Sequence, residues 1–534
     1  MNPPIRILIL TDSLKVKKWV ADIVNFVLDS SEFEICGVVI NNSNNTSRSS
    51  FLYRLLRFFD RKIFKAKSDP FQSVNLLFNT SLIYNTIPIQ KQFSDWVDDE
   101  CLAFVKEKNP DLILRFGFRI LRGPLLGISK FGVWSLHHGD NKTNRGGPPC
   151  FWEVVQQYAI SGVTLQQITE DLDGGKVIGR AFTKTDLLSF HRNQVNVFEI
   201  GVRLFQEKLK QLSKDNLEIE NAAFDFYSHS LCKDPNNVTS FFILLKYSYR
   251  VVKRAVFNFI YDQQWVINHS KNNNFEESIY RFQQLTPPKG TSWADPFPVI
   301  WKDQLYLFAE EIVGKNYGKI VCFSYLSDQK CFGKPITIIE KPFHLSYPMV
   351  FQYEKEWYMI PEMGETGMVI LYKANNFPFD WEKQQVLISD KKLFDVTPFE
   401  YNSKWFCFAS ERTSSTTSAN DLLQLYQLND GILGTWTLHP ASPIKIDVRG
   451  GRSAGKVFSK NGKTYRPAQL GAPKYGYGIQ LYEILELNDF NYREQLVESI
   501  LPNWNNHILA THTFNQVDGW QFIDSQRLVS KFKL

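Results

Sequence analysis

Residues 131–140 read Phe131-Gly132-Val133-Trp134-Ser135-Leu136-His137-His138-Gly139-Asp140, and Arg145-Gly146-Gly147-Pro148-Pro149 follows shortly after. An apolar run that ends in a glycine-containing loop is where an open α/β sheet holds reactive groups, at the carboxyl end of a strand. Side chains two apart on a strand share a face. Ser135 and His137 therefore point into one pocket and His138 points away, which argues against the two histidines forming a metal pair. Working upstream, Asp111-Leu112-Ile113-Leu114-Arg115-Phe116 is a second buried strand, preceded by a helix at residues 93–108 and a basic, polar stretch around residues 42–90. Ile5-Arg6-Ile7-Leu8-Ile9-Leu10, an amphipathic run from Leu14 to Leu28 and a strand at residues 33–40 complete the front of the chain. This alternation predicts an open sheet with a parallel core and a site at the strands' carboxyl ends.

Downstream, Ser161-Gly162-Val163-Thr164-Leu165-Gln166-Gln167 is followed by Asp171-Leu172-Asp173-Gly174-Gly175-Lys176-Val177-Ile178. Asp173 sits in a glycine-rich loop between two apolar strands. A carboxylate so placed can be brought against a histidine, raising the imidazole pKa and keeping it a positive hydrogen-bond donor. Taken singly, the two residues read more readily as a buried structural histidine and a turn aspartate than as a catalytic pair.

Taken together, in this order, residues 110–178 resemble the catalytic core of the folate-dependent formyltransferases, whose pattern is Asn-x-His, a proline-rich loop with Arg-Gly, a Gly-Val-Thr-like strand and Asp-x-Gly. The matches are His137, Arg145-Gly146, Gly162-Val163-Thr164, and Asp173 with Gly175. The resemblance implies a Rossmann-like fold and 10-formyltetrahydrofolate as co-substrate, with His137 and Asp173 catalytic and Ser135 standing where the family has its asparagine. It further implies a folate pocket along Gly117, Phe118, Ile120, Leu121 and Asp171, and acceptor binding at Asp140, Arg145, Gly146 and Gly147. The expected reaction is acyl transfer to an amine, without a metal. Ser135 is the one departure from the catalytic trio, since a hydroxyl is shorter than a carboxamide.

Residues 192–262 turn helical, with Val195, Phe198, Val202, Phe205, Leu209 and Leu212 at helical spacing. A second helix near residues 240–261 carries Lys246, Arg250, Lys253 and Arg254 among apolar residues. It reads either as a membrane-surface helix or as an interdomain helix with snorkelling cations. Beyond it the chain repeats. Asp295-Pro296-Phe297 precedes Leu305-Tyr306-Leu307-Phe308 and Glu310, and the cadence returns with Tyr347-Pro348 and Glu362, Thr397-Pro398 and Glu411, Ala454-Gly455 and Gln469, and Thr511-His512 and Asp524. The aromatic anchors Tyr306, Tyr358, Phe406, Tyr465 and Trp520 fall about fifty residues apart, as expected when a four-stranded blade repeats. Five copies predict five blades. The polar segments Lys302-Asp303-Gln304, Glu354-Lys355-Glu356 and Lys460-Asn461-Gly462 are the expected hairpin turns. Asp295, Tyr347, Asp395 and His512, joined by Glu362, Arg466 and Gln469, are the candidate residues of the central channel.

The expected organisation is thus multidomain, α/β followed by all-β: a formyltransferase-like domain at residues 1–190, a helical connector at 191–263 and a five-bladed β-propeller at 264–534. The segments around Asp295, Tyr347, Tyr358-Met359-Ile360-Pro361-Glu362 and Tyr465-Arg466-Pro467 resemble the propeller domain at the N-terminus of plant glucosamine inositolphosphorylceramide transferases, and its five-bladed form is similar to furanosidase-type glycoside hydrolases. That second likeness implies acids around the channel, here Asp295, Glu362 and Asp395.

Composition narrows the function. At 534 residues, 43% hydrophobic and 22% charged, the chain is long enough for two or three globular domains. A net charge of +6 is too dilute to argue for nucleic acid. Seven scattered cysteines without a CxxC pair argue against a disulfide framework or a zinc site and for a reducing compartment. The apolar run at 5–10 is too short for a signal-peptide core, so the expected location is the cytoplasm. The first expectation is formyl transfer to an amino sugar or sugar nucleotide of a surface-glycan pathway, with carbohydrate held by the propeller. The others are a propeller-centred glycoside hydrolase or glycosyltransferase partner with a degenerate front domain, and a glycan-binding pseudoenzyme.

Overall fold

The computed structural model describes residues 3–43, 49–66, 68–91, 93–170, 175–217, 219, 227–271, 278–314, 316–414 and 417–532. The chain forms two compact units, Met1–Arg250 and Val251–Leu534.

Unit 1 is built on a seven-stranded sheet. Its strands in chain order are β1 (Ile5–Thr11), β2 (Phe33–Asn41), β3 (Ile83–Thr86), β4 (Leu112–Arg115), β5 (Val133–His137), β6 (Ile160–Gln167) and β7 (Lys176–Lys184). Across the sheet they run β7-β6-β5-β4-β1-β2-β3. The five from β5 to β3 are parallel, while β6 and β7 are added antiparallel. Parallel strands are covered on both faces, which is why Ile7, Leu8, Ile9 and Leu10 are all fully buried in one unbroken apolar run. Helices α1 (Lys18–Leu28), α3 (Asp99–Lys108) and α4 (Phe190–Ser213) supply the cover; α2 (Phe51–Ile63) packs on α4, and α5 (Asn237–Ile260) meets α2 where Tyr247 OH donates to Asp60.

Helix starts follow capping chemistry rather than apolar periodicity. The expected helix at 93–108 begins only at Asp99, because the Asp98 carboxylate accepts from Cys101 N at 2.8 Å and caps it there. Ser189 caps α4 in the same way, accepting from Arg192 N. α4 lies against β6, where a side chain on Gly201 would meet Val163 at 3.2 Å. The segment expected as a connector therefore contributes to both units: α4 belongs to unit 1, and Tyr261–Lys271 is already a strand of unit 2.

Unit 2 is a five-bladed propeller of antiparallel sheets. The innermost strands of blades 1 to 4 are Thr291–Trp301, Ser346–Tyr353, Lys392–Tyr401 and Arg449–Ser453. Blade 5 is assembled from both ends of the unit, with Tyr261–Lys271 paired residue for residue against Trp520–Ser530. Each inner hairpin turns on two residues with positive φ: Lys302-Asp303, Glu354-Lys355, Asn402-Ser403, Asn461-Gly462 and Asp518-Gly519. This is the mirror-image turn that matches strand twist. Gln304, Glu356 and Lys460, expected inside turns, are instead ladder-paired flanks, opposite Trp301, Tyr353 and Lys463.

Candidate functional site

The last residues of adjacent parallel strands β4 and β5 are Arg115 and His137. Arg115 Nη1 donates to Ser135 Oγ at 3.0 Å, and Nη2 donates to the carbonyls of Phe118 and Arg119 at 2.7 and 2.6 Å. Arg115, Ser135 and His137 line one cleft of about 130 Å³ together with Ile120, Leu121 and Gln166. The His137 ring nitrogen Nε2 lies 2.9 Å from Asn144 O. Gln166 Oε1 is buried in the wall and has no hydrogen-bond partner among the described residues, so the cleft holds an acceptor that asks for a donor. His138 is placed elsewhere, stacked on Phe198 with ring centroids 3.5 Å apart. Burial pushes its pKa down to about 3, so it is a neutral core residue.

The surrounding loops divide into those that line the cleft and those that shape it. Ile120 and Leu121 line it. Gly117 and Phe118, expected beside them, do not: the Phe118 ring is buried in the apolar core and Gly117 packs on Asp12, where a Cβ would stand 2.5 Å from Asp12 N. Asp12 Oδ1 accepts from Phe118 N, tying the loop after β4 to the loop after β1. Arg145, Gly146 and Gly147, expected at the acceptor mouth, are pinned by backbone pairing. Cys232 N donates to Arg145 O and Gly147 N to Cys232 O, while the Arg145 guanidinium donates to Asn141 O and sits over the Tyr227 ring. Asp140 closes its own turn by accepting from Lys142 N. Asp171 and Asp173 lie outside the described residues; the flanking Thr169 and Gly175 line the same cleft as His137. Arg115 is the residue that sequence reasoning passed over, and its signal is one charge closing an otherwise apolar strand.

The propeller channel holds a second polar cluster. Asp295, Tyr347 and Asp395 occupy equivalent places in blades 1, 2 and 3, each at a bulge and each with φ between 43° and 50°. Non-glycine residues in this region carry about 1–3 kcal/mol of strain, which the surrounding contacts must hold in place. Asp395 receives both Arg452 Nε (2.6 Å) and Nη2 (2.9 Å) and also Gln469 Nε2 (3.0 Å). Tyr347 OH bridges Thr397 Oγ1 and the backbone of Gly455. Asp295 accepts from Thr513 Oγ1 and Tyr347 N, and Glu362 from Ser346 Oγ and Gly364 N. Gln469 Oε1 and Ser453 Oγ are buried without a partner among the described residues. Arg466, expected in this group, is not part of it. Three positions before Gln469 on one strand, it takes the opposite face and pairs with Glu494 of the outer strand at 2.8 Å.

His512 stacks on Trp265 and its Nδ1 lies 2.5 Å from Asp524 Oδ2, with Asp295 3.9 Å from Nε2. Ligand atoms of Asp295, His512 and Asp524 lie within 4.8 Å of one another, so the trio could hold a cation only after the imidazole gives up its proton. That proton is firmly held. Burial opposes the charge, but Asp524 and then Asp295 outweigh it and raise the His512 pKa to about 9. Because the folded value lies above the unfolded one of roughly 6.5, the contribution is complete below the unfolded value and is lost as pH rises through the folded value. Unit 2 is therefore expected to lose stability steadily from about pH 6.5 to 8. Above that, Lys456 and Lys474, both pushed down to about 8 by burial, contribute with opposite sign. Denaturant titrations across this window should show the slope in the natural chain and a shallower one in His512→Gln, where His344, raised by its hydrogen bond to Glu310, still contributes with the same sign.

Residues 286–531 match the family model described as glucosamine inositolphosphorylceramide transferase 1, N-terminal. The glucosamine inositolphosphorylceramide transferase 1 of Oryza sativa subsp. japonica is 35% identical over 204 residues, 38% of this chain and 27% of that protein. A methionyl-tRNA formyltransferase of Geobacillus sp. (strain WCH70) is 30% identical over 118 residues, 21% of this chain and 35% of that enzyme. Among solved structures, a family 117 glycoside hydrolase of Zobellia galactanivorans aligns at 11% identity with a TM-score of 0.33, covering 50% of this chain and 90% of that one. The chain thus spans 27% and 35% of the two curated relatives. Its front unit is similar to the formyltransferases, and residues 286–531 of its rear unit are similar to the N-terminal domain of glucosamine inositolphosphorylceramide transferase 1.

Proposed function

We propose that unit 1 transfers a formyl group from 10-formyltetrahydrofolate to the primary amine of an amino sugar, and that the channel of unit 2 binds carbohydrate. The observation that carries this reading is the convergence of Arg115, Ser135, His137 and the partnerless Gln166 acceptor in one cleft at the carboxyl ends of β4 and β5. At about 130 Å³ the cleft is smaller than the ~300 Å³ of a complete small-molecule site, so it suits the formyl-bearing end of the donor. Ile120 and Leu121 offer an apolar wall to the pteridine.

The amine nitrogen attacks the formyl carbon, and the carbonyl π pair moves onto oxygen. The Arg115 guanidinium, through its charge, and the His137 imidazole, through the ring nitrogen that does not face Asn144 O, are assigned to stabilise that oxyanion, which answers the family's asparagine being Ser135 here. Gln166 Oε1 accepts one N–H of the incoming amine. Collapse of the intermediate breaks the bond to N10 of tetrahydrofolate, and N10 takes up the proton that the amine gives away. Asp173 is assigned the relay of that proton on its motif alone. An amino-sugar acceptor is supported by unit 2, whose relatives carry glucosamine in their name. The three strained channel residues and the partnerless Gln469 and Ser453 atoms support polar-ligand binding there. A hydrolase reading of the channel is weakened by Asp395, which is neutralised by Arg452. The cytoplasmic setting inferred from the cysteines is part of the proposal.

The test is mass spectrometry of an amino-sugar panel, free, phosphorylated and nucleotide-linked, incubated with the donor. A formyl mass increment that disappears with His137→Ala is expected. No increment on any amine, or one unaffected by that substitution, refutes the reading; aryl-glycoside cleavage lost on Asp295→Asn would replace it with hydrolysis.

A further inference from the structure

We infer that unit 1 carries a docking surface for an anionic phospholipid membrane, formed by α2 and the first half of α5. The two helices run side by side in the same direction: Leu52 N donates to Asn237 Oδ1 near their starts, and Tyr247 OH donates to Asp60 Oδ1 further along. α5 buries Ser240, Ile243 and Tyr247. At ~100° per residue, its Phe242, Leu245 and Tyr249 stand on roughly the opposite face. Those three and Phe51, Phe58 and Ile63 of α2 are each more than half exposed. An aliphatic and aromatic surface of this kind on paired helices marks an interaction site.

The charge beside it selects the partner. A cleft of about 690 Å³ along α2 is lined by Arg54, Arg57, Arg61, Lys62 and Lys65, and its lining contains no carboxylate. Asp60, on the same helix, is spent on His191 N and Tyr247 OH. Arg57 donates to Gln194 Oε1, and no carboxylate lies within ion-pair distance of these five cations among the described residues. A second copy meeting this face by a twofold axis would set ten cations against one another, so self-association is disfavoured. Exposed isoleucine and phenylalanine beside a cleft lined by five cations fit a lipid interface, where apolar side chains enter the acyl boundary and cations meet headgroup phosphates. Arg250, one of the four cations on α5, is turned inward and donates to Val154 O. No helix among the described residues is long and apolar enough to cross a membrane. The surface is independent of formyl transfer: either can fail without the other.

Flotation of the full chain with vesicles of phosphatidylcholine, alone or mixed with phosphatidylglycerol, tests the inference. Binding to the mixed vesicles is expected to exceed binding to neutral ones by about tenfold or more and to weaken with salt. Arg54→Glu/Arg61→Glu/Lys62→Glu should lower it by about tenfold or more, and Phe58→Ser/Phe242→Ser/Leu245→Ser likewise; all six positions are exposed, so the fold is retained and circular dichroism verifies it. Equal binding to both vesicle types, or binding indifferent to either triple variant, overturns the inference. So does a chain that ignores vesicles and instead self-associates or binds single-stranded oligonucleotide in sedimentation runs.

Discussion

Arg452→Met is expected to lower the unfolding free energy of unit 2 by about 3–5 kcal/mol, the usual cost of stripping the partner from a buried ion. Asp395 is 2% exposed and would keep only Gln469 Nε2 as a donor. Glu362, already pushed upward by burial, would lose the same guanidinium's field. Arg452 also packs over the Phe394 and Tyr475 rings, so the substitution removes those contacts as well. Removing the charge together with its partner, as Arg452→Met/Asp395→Asn, should recover much of the loss, since the penalty lies in the orphaned carboxylate. Denaturant unfolding followed by tryptophan fluorescence reads both numbers. A loss under about 1 kcal/mol would mean the channel does not depend on this pair.

His137→Ala is expected to reduce kcat for formyl transfer by about a hundred to a thousandfold, and Arg115→Met by about a hundredfold. Both groups are assigned to charge that exists only in the tetrahedral intermediate, so kcat and kcat/KM should fall together while KM stays put. The telling variant is Ser135→Asn in the Arg115→Met background. A carboxamide at Ser135 would restore a donor where the guanidinium was lost, and activity should return by about tenfold. A guanidinium that merely braced the Phe118 and Arg119 carbonyls would show no such rescue.

Much of this architecture was legible because it rests on period and repetition. Alternation along β5 put Ser135 and His137 on one face and sent His138 to the core, and the fifty-residue cadence counted the blades. What stayed hidden depends on contacts between distant segments. Asn461-Gly462 and Asp518-Gly519 advertise a left-handed turn, whereas Lys302-Asp303 and Glu354-Lys355 adopt it without any such signal; even at Asn461-Gly462 the polar flank Lys460 reads as part of the turn, because only cross-strand pairing marks where the ladder begins. Arg466 and Gln469 looked like one motif until strand parity separated them. Arg115 looked like the end of a strand; only the neighbouring β5 makes it a member of the cleft.

The manner in which blade 5 is made bears on how the molecule comes into being. Gln264 finds Arg527, 263 positions further on, across that blade. During synthesis the strand at Tyr261–Lys271 leaves the ribosome with an open edge and stays a docking hazard for other chains while four blades are completed behind it. The formyltransferase-like unit can mature at once, but the ring snaps shut only when the segment from Trp520 onward arrives, so a nascent chain halted short of that point is a gapped circle offered to chaperones and proteases.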